Sequence, residues 1–322
     1  MTLPVLDAAA TAAALPWRPL ADAVAATLDD FAAGRVQAPD RWVLPVAPST
    51  HWFLMPAWTT PEAGGLAAIK LITYSADNPS LGLPAILGDV LVMRAATGER
   101  LALLDGPTVT GRRTAAVSLL AAERLAPRPE GPLLVIGPGV QGEAHALALA
   151  DGLGVREVWV RGRRPEAADA LVDRLQAAGL DARRADDLEA ALARCPLVVT
   201  ATPAQAVCLA GPLRPDAFVA AVGAFTPTMI ELAPALTRRI AETGTVVLDS
   251  AAARHEAGDL IAAGLDPDAL PTLADRPVVR AGGPVLFKSC GSALWDLAAA
   301  RCAVPNLAPE SGRPRIRVVD LT

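Results

Sequence analysis

Three cations in the first part of the chain have the types and settings needed to hold an anion and move a proton. Arg41 follows Ala38-Pro39-Asp40, Lys70 interrupts the aliphatic run Ala67-Ala68-Ile69-Lys70-Leu71-Ile72, and Arg113 stands in Arg112-Arg113-Thr114-Ala115-Ala116. An ammonium between aliphatic neighbours on a strand is costly to bury because it sheds its hydration. Such a lysine needs either a sheet edge, where it can snorkel to water, or a polar cavity that holds an anion. For Arg113 the plain alternative is a helix-start arginine bound to a neighbouring carboxylate. Spacing alone leaves these choices open.

A second chemical feature is more specific. Leu133-Leu134-Val135-Ile136 reads as a buried strand that runs into Gly137-Pro138-Gly139-Val140-Gln141-Gly142, after which Glu143-Ala144-His145-Ala146-Leu147 opens a helix. In a Gly-x-Gly-x-x-Gly turn the first glycine permits the tight bend, the second lets backbone approach a pyrophosphate, and the third allows helix against strand. The helix N–H groups then face the phosphates. A following strand, Val155–Val160, ends in Arg161-Gly162-Arg163-Arg164, with no carboxylate before Glu166. An acid at this point would favour the ribose diol of NAD; planar, bidentate guanidinium donors suit a 2′-phosphate. The expected cofactor is NADP(H), with NAD(H) second, and a solvated basic turn is the alternative.

Length and composition exclude several classes. A chain of 322 residues is long enough for two domains. Net charge of −5, from 29 basic and 34 acidic residues, argues against nucleic acid as a partner. The N-terminal residues carry no secretory pattern, and no long uncharged apolar run suggests a membrane segment, so a cytoplasmic location is expected. Cys195, Cys208, Cys290 and Cys302 lack close pairing, and His51, His145 and His255 are the only histidines. Neither a disulfide framework nor a metal site is expected, and the thiols read as free and buried. His51 reads as structural.

The elements that must position these groups fall into two patterns. Up to about residue 118, a helix over Pro19–Ala33 is followed by short apolar segments at Trp42–Leu44, His51–Met55, Ala67–Tyr74, Ala85–Val92 and Leu101–Leu104, as in a mostly antiparallel sheet. A long helix from about Thr114 leads to strands at 133–136, 155–160, 197–201, 217–222 and 245–249 alternating with helices. From Ser289 a helix is expected to return to the first domain. The fold class expected is α/β: a Rossmann-type doubly wound parallel sheet at 119–298, plus an α+β substrate and dimerisation domain built from 1–118 and 299–322. Strands of that domain look apolar on both faces, and Ile69, Leu71, Ile86, Leu87, Val90 and Leu91 would suit a sheet-mediated homodimer.

Taken together, Gly65–Thr73, Leu83–Ile86, Thr110–Ala116, Ile136–Gly142, Thr200–Pro203, Val222–Leu232, Glu256–Asp259 and Phe287–Asp296 resemble the ornithine cyclodeaminase/mu-crystallin family over nearly the whole chain. That resemblance implies an enzyme whose Arg41, Lys70 and Arg113 gather round a substrate carboxylate, with Lys70 exchanging a proton at the substrate nitrogen and Met55 forming a pocket wall. It also implies that Arg113, Thr114 and the loop Gly137, Pro138, Gly139, Val140, Gln141 and Gly142 meet the pyrophosphate. Arg161, Arg163 and Arg164 would meet the 2′-phosphate, while Ala201, Thr202, Pro203, Val222, Gly223 and Gly291 would line the ribose and nicotinamide. One departure matters. Where ornithine cyclodeaminases place an aspartate that holds the distal ammonium, this chain has Phe225, and an apolar ring cannot compensate a buried ammonium. The resemblance then implies reduction of a cyclic imino acid, Δ1-pyrroline-2-carboxylate or Δ1-piperideine-2-carboxylate. Ornithine cyclodeaminase and alanine dehydrogenase are the enzyme alternatives, and a mu-crystallin-like ligand-binding protein is the non-enzyme one.

Overall fold

A computed structural model of the chain describes residues 3–307. The chain divides into two units: the residues up to Arg113 together with those from Ser292, and Thr114–Gly291. The sequence-based boundaries at 118 and 298 stand five and seven residues beyond these. The first division falls inside one continuous helix, Gly106–Leu125, where hydrophobic periodicity offers nothing to mark it. Of the expected return segment 299–322, the part beyond 307 lies outside the described residues.

The first unit contains β1 (Val5–Leu6), α1 (Ala8–Ala14), α2 (Trp17–Ala32), β2 (Val36–Gln37), β3 (Trp42–Ala47), β4 (Thr50–Thr59), β5 (Leu66–Ser75), β6 (Ile86–Arg94), β7 (Arg100–Asp105) and the start of α3 (Gly106–Leu125). Its sheet runs β1-β7-β6-β5-β4-β2, with β3 also paired to β4. Among the described residues only β1 joins in parallel, against β7. Alternation on the central strands decides what is covered: Ala68, Lys70 and Ile72 of β5 and Val90 and Val92 of β6 are buried, whereas Leu71 and Leu87 on the opposite parity are exposed. The covered face packs against the helix Ala293–Leu307, which in turn packs on α2. Val90 and Ile86 share the covered parity of β6. They therefore do not belong to the open face, which retains Ile69, Leu71, Leu87 and Leu91 and adds the exposed Trp52 and Trp58 of β4.

The second unit contains the rest of α3, then β8 (Leu133–Ile136), α4 (Val140–Leu153), β9 (Glu157–Arg161), α5 (Pro165–Ala177), β10 (Asp181–Arg184), α6 (Leu188–Arg194), β11 (Leu197–Thr200), β12 (Phe218–Ala221), α7 (Pro234–Thr243), β13 (Thr245–Leu248), α8 (Gly258–Ala262) and β14 (Val285–Lys288). The helix Ala293–Leu307, α9, then belongs to the first unit. The sheet order is β10-β9-β8-β11-β12-β14-β13, every pair parallel. Chain order reverses between β8 and β11, so the carboxyl ends of these strands flank the switch point at which doubly wound sheets receive ligands. β8, β11, β12 and β14 are buried at every position, which gives runs without alternation that are apolar but for Thr200 and Lys288 at the ends of β11 and β14. Sequence reading lacks β10 and β14. β10 is an edge strand, Asp-Ala-Arg-Arg, with one buried side chain, and β14 ends in a lysine.

Candidate active site

Strand alternation puts Lys70 on the covered face of the first unit, fully buried, with Met55 of β4 and Val90 of β6 as its uncharged cross-strand neighbours. Its charge is met from α9: Lys70 Nζ donates to Asp296 Oδ1 at 2.9 Å. Arg113, on α3, brings its Nε to 3.3 Å from the same oxygen. Asp296 is itself fully buried, and its second oxygen, Oδ2, has no hydrogen-bond partner among the described residues. Arg41, just before β3, stacks its guanidinium 5.4 Å from the centre of the Phe53 ring. Burial pushes the Lys70 ammonium down, Asp296 pulls it up, and the charges of Arg113 and Arg41 push it down again, for a net fall to about 8. The chain has only two lysines, Lys70 and Lys288, and both are buried. Two buried cations, Lys70 and Arg113, thus meet a single carboxylate oxygen. A second anion would complete the compensation of their charge.

In the second unit the glycine loop has the shape its sequence implies. Gly137 has φ 117°, and a Cβ there would run into the carbonyl oxygen of Ala201; one on Gly142 would meet the carbonyl of Gly137 and the side chain of Val135. Gly139, the N-cap of α4, faces open space with nothing within 4 Å of an added Cβ. Gly139 thus leaves its own backbone open to approach at the N-terminus of α4, beside the switch point, a fit for a dinucleotide's pyrophosphate. Thr114 is buried. Arg161 donates to the backbone carbonyls of Ala185 and Asp186, so its guanidinium joins the ends of β9 and β10 rather than standing free. Arg163 and Arg164 are exposed.

The loops that follow β11, β12 and β14 are held by three buried carboxylates. Glu231 accepts from the Thr200 hydroxyl at 3.0 Å, from the Thr202 backbone at 2.7 Å and hydroxyl at 2.8 Å, and from the Gly223 backbone at 2.7 Å. Asp259 accepts from the backbones of Glu231 and Leu232 and pairs with Lys288 Nζ at 3.0 Å, and that ammonium also donates to Ala224 O at 2.6 Å. Asp249 accepts from the Ser289 hydroxyl and the Gly291 backbone. Ala201, Thr202, Pro203, Val222, Gly223 and Gly291 therefore sit on backbone pinned from below. Pairing a buried carboxylate with several N–H donors fixes loop geometry at little net cost.

Sequence reading finds Lys70, Arg113 and Arg41, and the structure brings Lys70 and Arg113 onto one carboxylate. It assigns no role to Asp296, Glu231, Asp259, Asp249 or Lys288. The available signal is a charged residue inside an otherwise apolar stretch, as in Ala293-Leu294-Trp295-Asp296-Leu297-Ala298. Phe225 packs against the apolar cluster beneath the sheet of the second unit. His51 lies on β4 four residues before Met55, about 13 Å along the strand, too far for direct contact at the level of Lys70. His145 is buried between the Gln141 carbonyl and the Ser118 hydroxyl, and desolvation drops it to about 4. Among the described residues no group of three or more His, Cys, Asp or Glu could hold a metal ion, and no helix is long and apolar enough to cross a membrane.

Residues 5–308 match the ornithine cyclodeaminase/mu-crystallin family. The chain belongs to that family. Among relatives of this family member, delta(1)-pyrroline-2-carboxylate reductase 1 of Burkholderia multivorans is 40% identical over 314 residues, covering 96% of this chain and 98% of its own. The delta(1)-pyrroline-2-carboxylate/delta(1)-piperideine-2-carboxylate reductase of Azospirillum brasilense is 39% identical over 310 residues, covering 95% and 96%. In fold, the family member is similar to a delta(1)-pyrroline-2-carboxylate reductase of Thermococcus litoralis solved with NADH and L-proline, with a TM-score of 0.80, 22% identity, and 95% and 97% of the two chains covered.

Proposed function

We propose that this chain reduces the C=N bond of a cyclic ketimine acid, Δ1-pyrroline-2-carboxylate or Δ1-piperideine-2-carboxylate, to L-proline or L-pipecolate with NADPH. One observation carries the reading: a fully buried lysine shares its single counter-ion with an arginine and has a second arginine nearby. This is a receptor for a carboxylate with a proton donor built into it. Relatives about 40% identical that carry ketimine-reductase names support the substrate class.

Arg113 clamps the substrate carboxylate with its planar fork, Arg41 adds charge, and Met55 forms the apolar wall against the ring. Lys70 donates its proton, or a hydrogen bond, to the ring nitrogen, which makes the adjacent carbon more electrophilic. When bound, reduced NADP supplies the hydride that this carbon accepts. The Gly137–Gly142 loop and Thr114 hold its pyrophosphate, Arg163 and Arg164 its 2′-phosphate, and the pinned segments at Ala201–Pro203, Val222–Gly223 and Gly291 its ribose and nicotinamide. Phe225 offers no charge to a distal ammonium, which disfavours ornithine. The open sheet face bearing Trp52, Trp58, Leu71 and Leu87 is assigned to a second copy of the chain, and the cytoplasm is taken as its compartment.

The test follows NADPH absorbance with each cyclic imine, with pyruvate plus ammonia, and follows ammonia release from ornithine. Consumption with a cyclic imine at a kcat/KM at least tenfold above pyruvate is expected. Activity with pyruvate or ornithine alone overturns the reading. Light scattering tests the dimer.

A further inference from the structure

We propose that Asp296 is a positioning residue for the reduction: one buried carboxylate oxygen that keeps Lys70 in its ammonium form and sets Arg113 beside it. This deepens the function proposed above and rests on Lys70 as proton donor. Asp296 lies in the first turn of α9, and Lys70 lies 226 residues away in sequence. Side-chain exposures are 1% for Lys70, 6% for Arg113 and 0% for Asp296, so water does not share the work.

The surroundings of Lys70 make the role specific. From β4 and β6 it faces Met55 and Val90, which carry no charge. From α3 it faces Arg113, and from the segment before β3 the charge of Arg41 reaches it; both repel a proton. Asp296, on α9, is the group that favours the ammonium. Helix packing does not call for an acid here, because Leu294, Trp295, Leu297 and Ala298 around it are all buried and apolar. A buried ion pair is weak support for stability, and apolar replacements of comparable volume often serve a fold as well. The unpartnered Oδ2 adds that no structural hydrogen bond among the described residues uses up the carboxylate.

Because the chain has only two lysines, the full-length protein labelled with 13C-lysine gives two side-chain signals, assigned with Lys70→Ala. In the wild type the Lys70 signal should titrate near pH 8. In Asp296→Asn its midpoint should fall by about one unit or more, a tenfold change in proton affinity, while the Lys288 signal stays in place. The basic limb of kcat against pH should move the same way, NADPH affinity should stay within about twofold, and Asp296→Glu should restore the limb. An unmoved Lys70 midpoint in folded Asp296→Asn overturns the proposal, as does uniform loss of activity with no displacement of the limb. If Asp296→Asn does not fold, the wild-type titration decides: a Lys70 midpoint of about 5–6, as for a buried lysine whose charge nothing compensates, overturns the proposal. These signals are read without turnover, so wild-type inactivity toward cyclic imines would remove the proposed function while the titration still tests whether Asp296 governs the Lys70 proton.

Discussion

Replacing Glu231 by Gln should loosen the backbone on which the nicotinamide half of the cofactor would rest. Oε1 of this fully buried carboxylate takes the Thr202 N–H and hydroxyl, and Oε2 takes the Gly223 N–H and the Thr200 hydroxyl. An amide keeps one oxygen and turns the other into a donor. Whichever way it is oriented, one backbone N–H, that of Thr202 or of Gly223, then faces an N–H. A hydroxyl can turn away; a backbone N–H cannot. Stranding a buried donor costs about 1–3 kcal/mol, and loss of the charge weakens the bonds that remain. A fall of about 3 kcal/mol in unfolding free energy follows for Glu231→Gln. Glu231→Ala, which strands both N–H groups and leaves a cavity, should lose about 4–6 kcal/mol. Against a total of about 5–15 kcal/mol these are large losses. Urea denaturation measures them, and NADPH titration measures the consequence for the loops, where about 1.4 kcal/mol of lost order weakens binding about tenfold. A Glu231→Gln protein within about 0.5 kcal/mol of wild type, with unchanged NADPH affinity, would refute the view that this carboxylate ties the strand ends together.

Lys70→Ala should abolish ketimine turnover, a loss of about 100-fold or more if the lysine is the general acid, while NADPH binding measured by fluorescence stays near wild type; retained turnover removes Lys70 from the chemistry. Arg163→Asp should weaken NADPH binding far more than NADH binding, by about tenfold or more through loss of a charge-assisted contact and added repulsion. An unchanged ratio of the two affinities would show that the 2′-phosphate is held elsewhere. His145 is neutral in the fold, held at about 4 against 6.5 when unfolded, so the unfolded chain binds the extra proton. Its contribution is complete above pH 6.5 and is lost as pH falls toward 4, for a span of about 3 kcal/mol. The urea stability of His145→Gln, compared with wild type across that range, should show a shallower decline.

What the sequence discloses is chemistry that acts locally. The glycine loop can be read because two of its glycines answer demands made nearby in the chain: Gly137 through its φ, and Gly142 through the closeness of helix to the preceding strand and turn. Lys70 can be read because its neighbours on both sides are aliphatic. The parity of β6 cannot be read in this way. Ile86, Leu87, Val90 and Leu91 are apolar on both parities, and only the register with β5 shows that Val90 faces the lysine and Leu87 the open side. Arg161, Arg163 and Arg164 look equivalent on the page. They differ because the carboxyl end of β9 lies beside the carbonyls of Ala185 and Asp186, which take the first guanidinium and leave the others exposed.

The residues that sequence reading overlooks share one physical cause: each acts on a partner brought near only by the fold. Asp296 meets Lys70 across 226 positions, and Glu231 meets Thr200 across 31 and Gly223 across 8. Sequence gives a reason to ask for such partners without saying where they are, because a buried ammonium must be paired. Lys288 makes the same point from the other unit. Its ammonium, fully buried, pairs with Asp259 and donates to Ala224 O, so it fixes a loop. Lys70 has its one carboxylate shared with an arginine, has no backbone acceptor among its hydrogen bonds, and has its proton affinity lowered. Two buried lysines of similar appearance are thus distinguished by how completely their charge is compensated, and the one left short is the one to which a substrate anion has something to add.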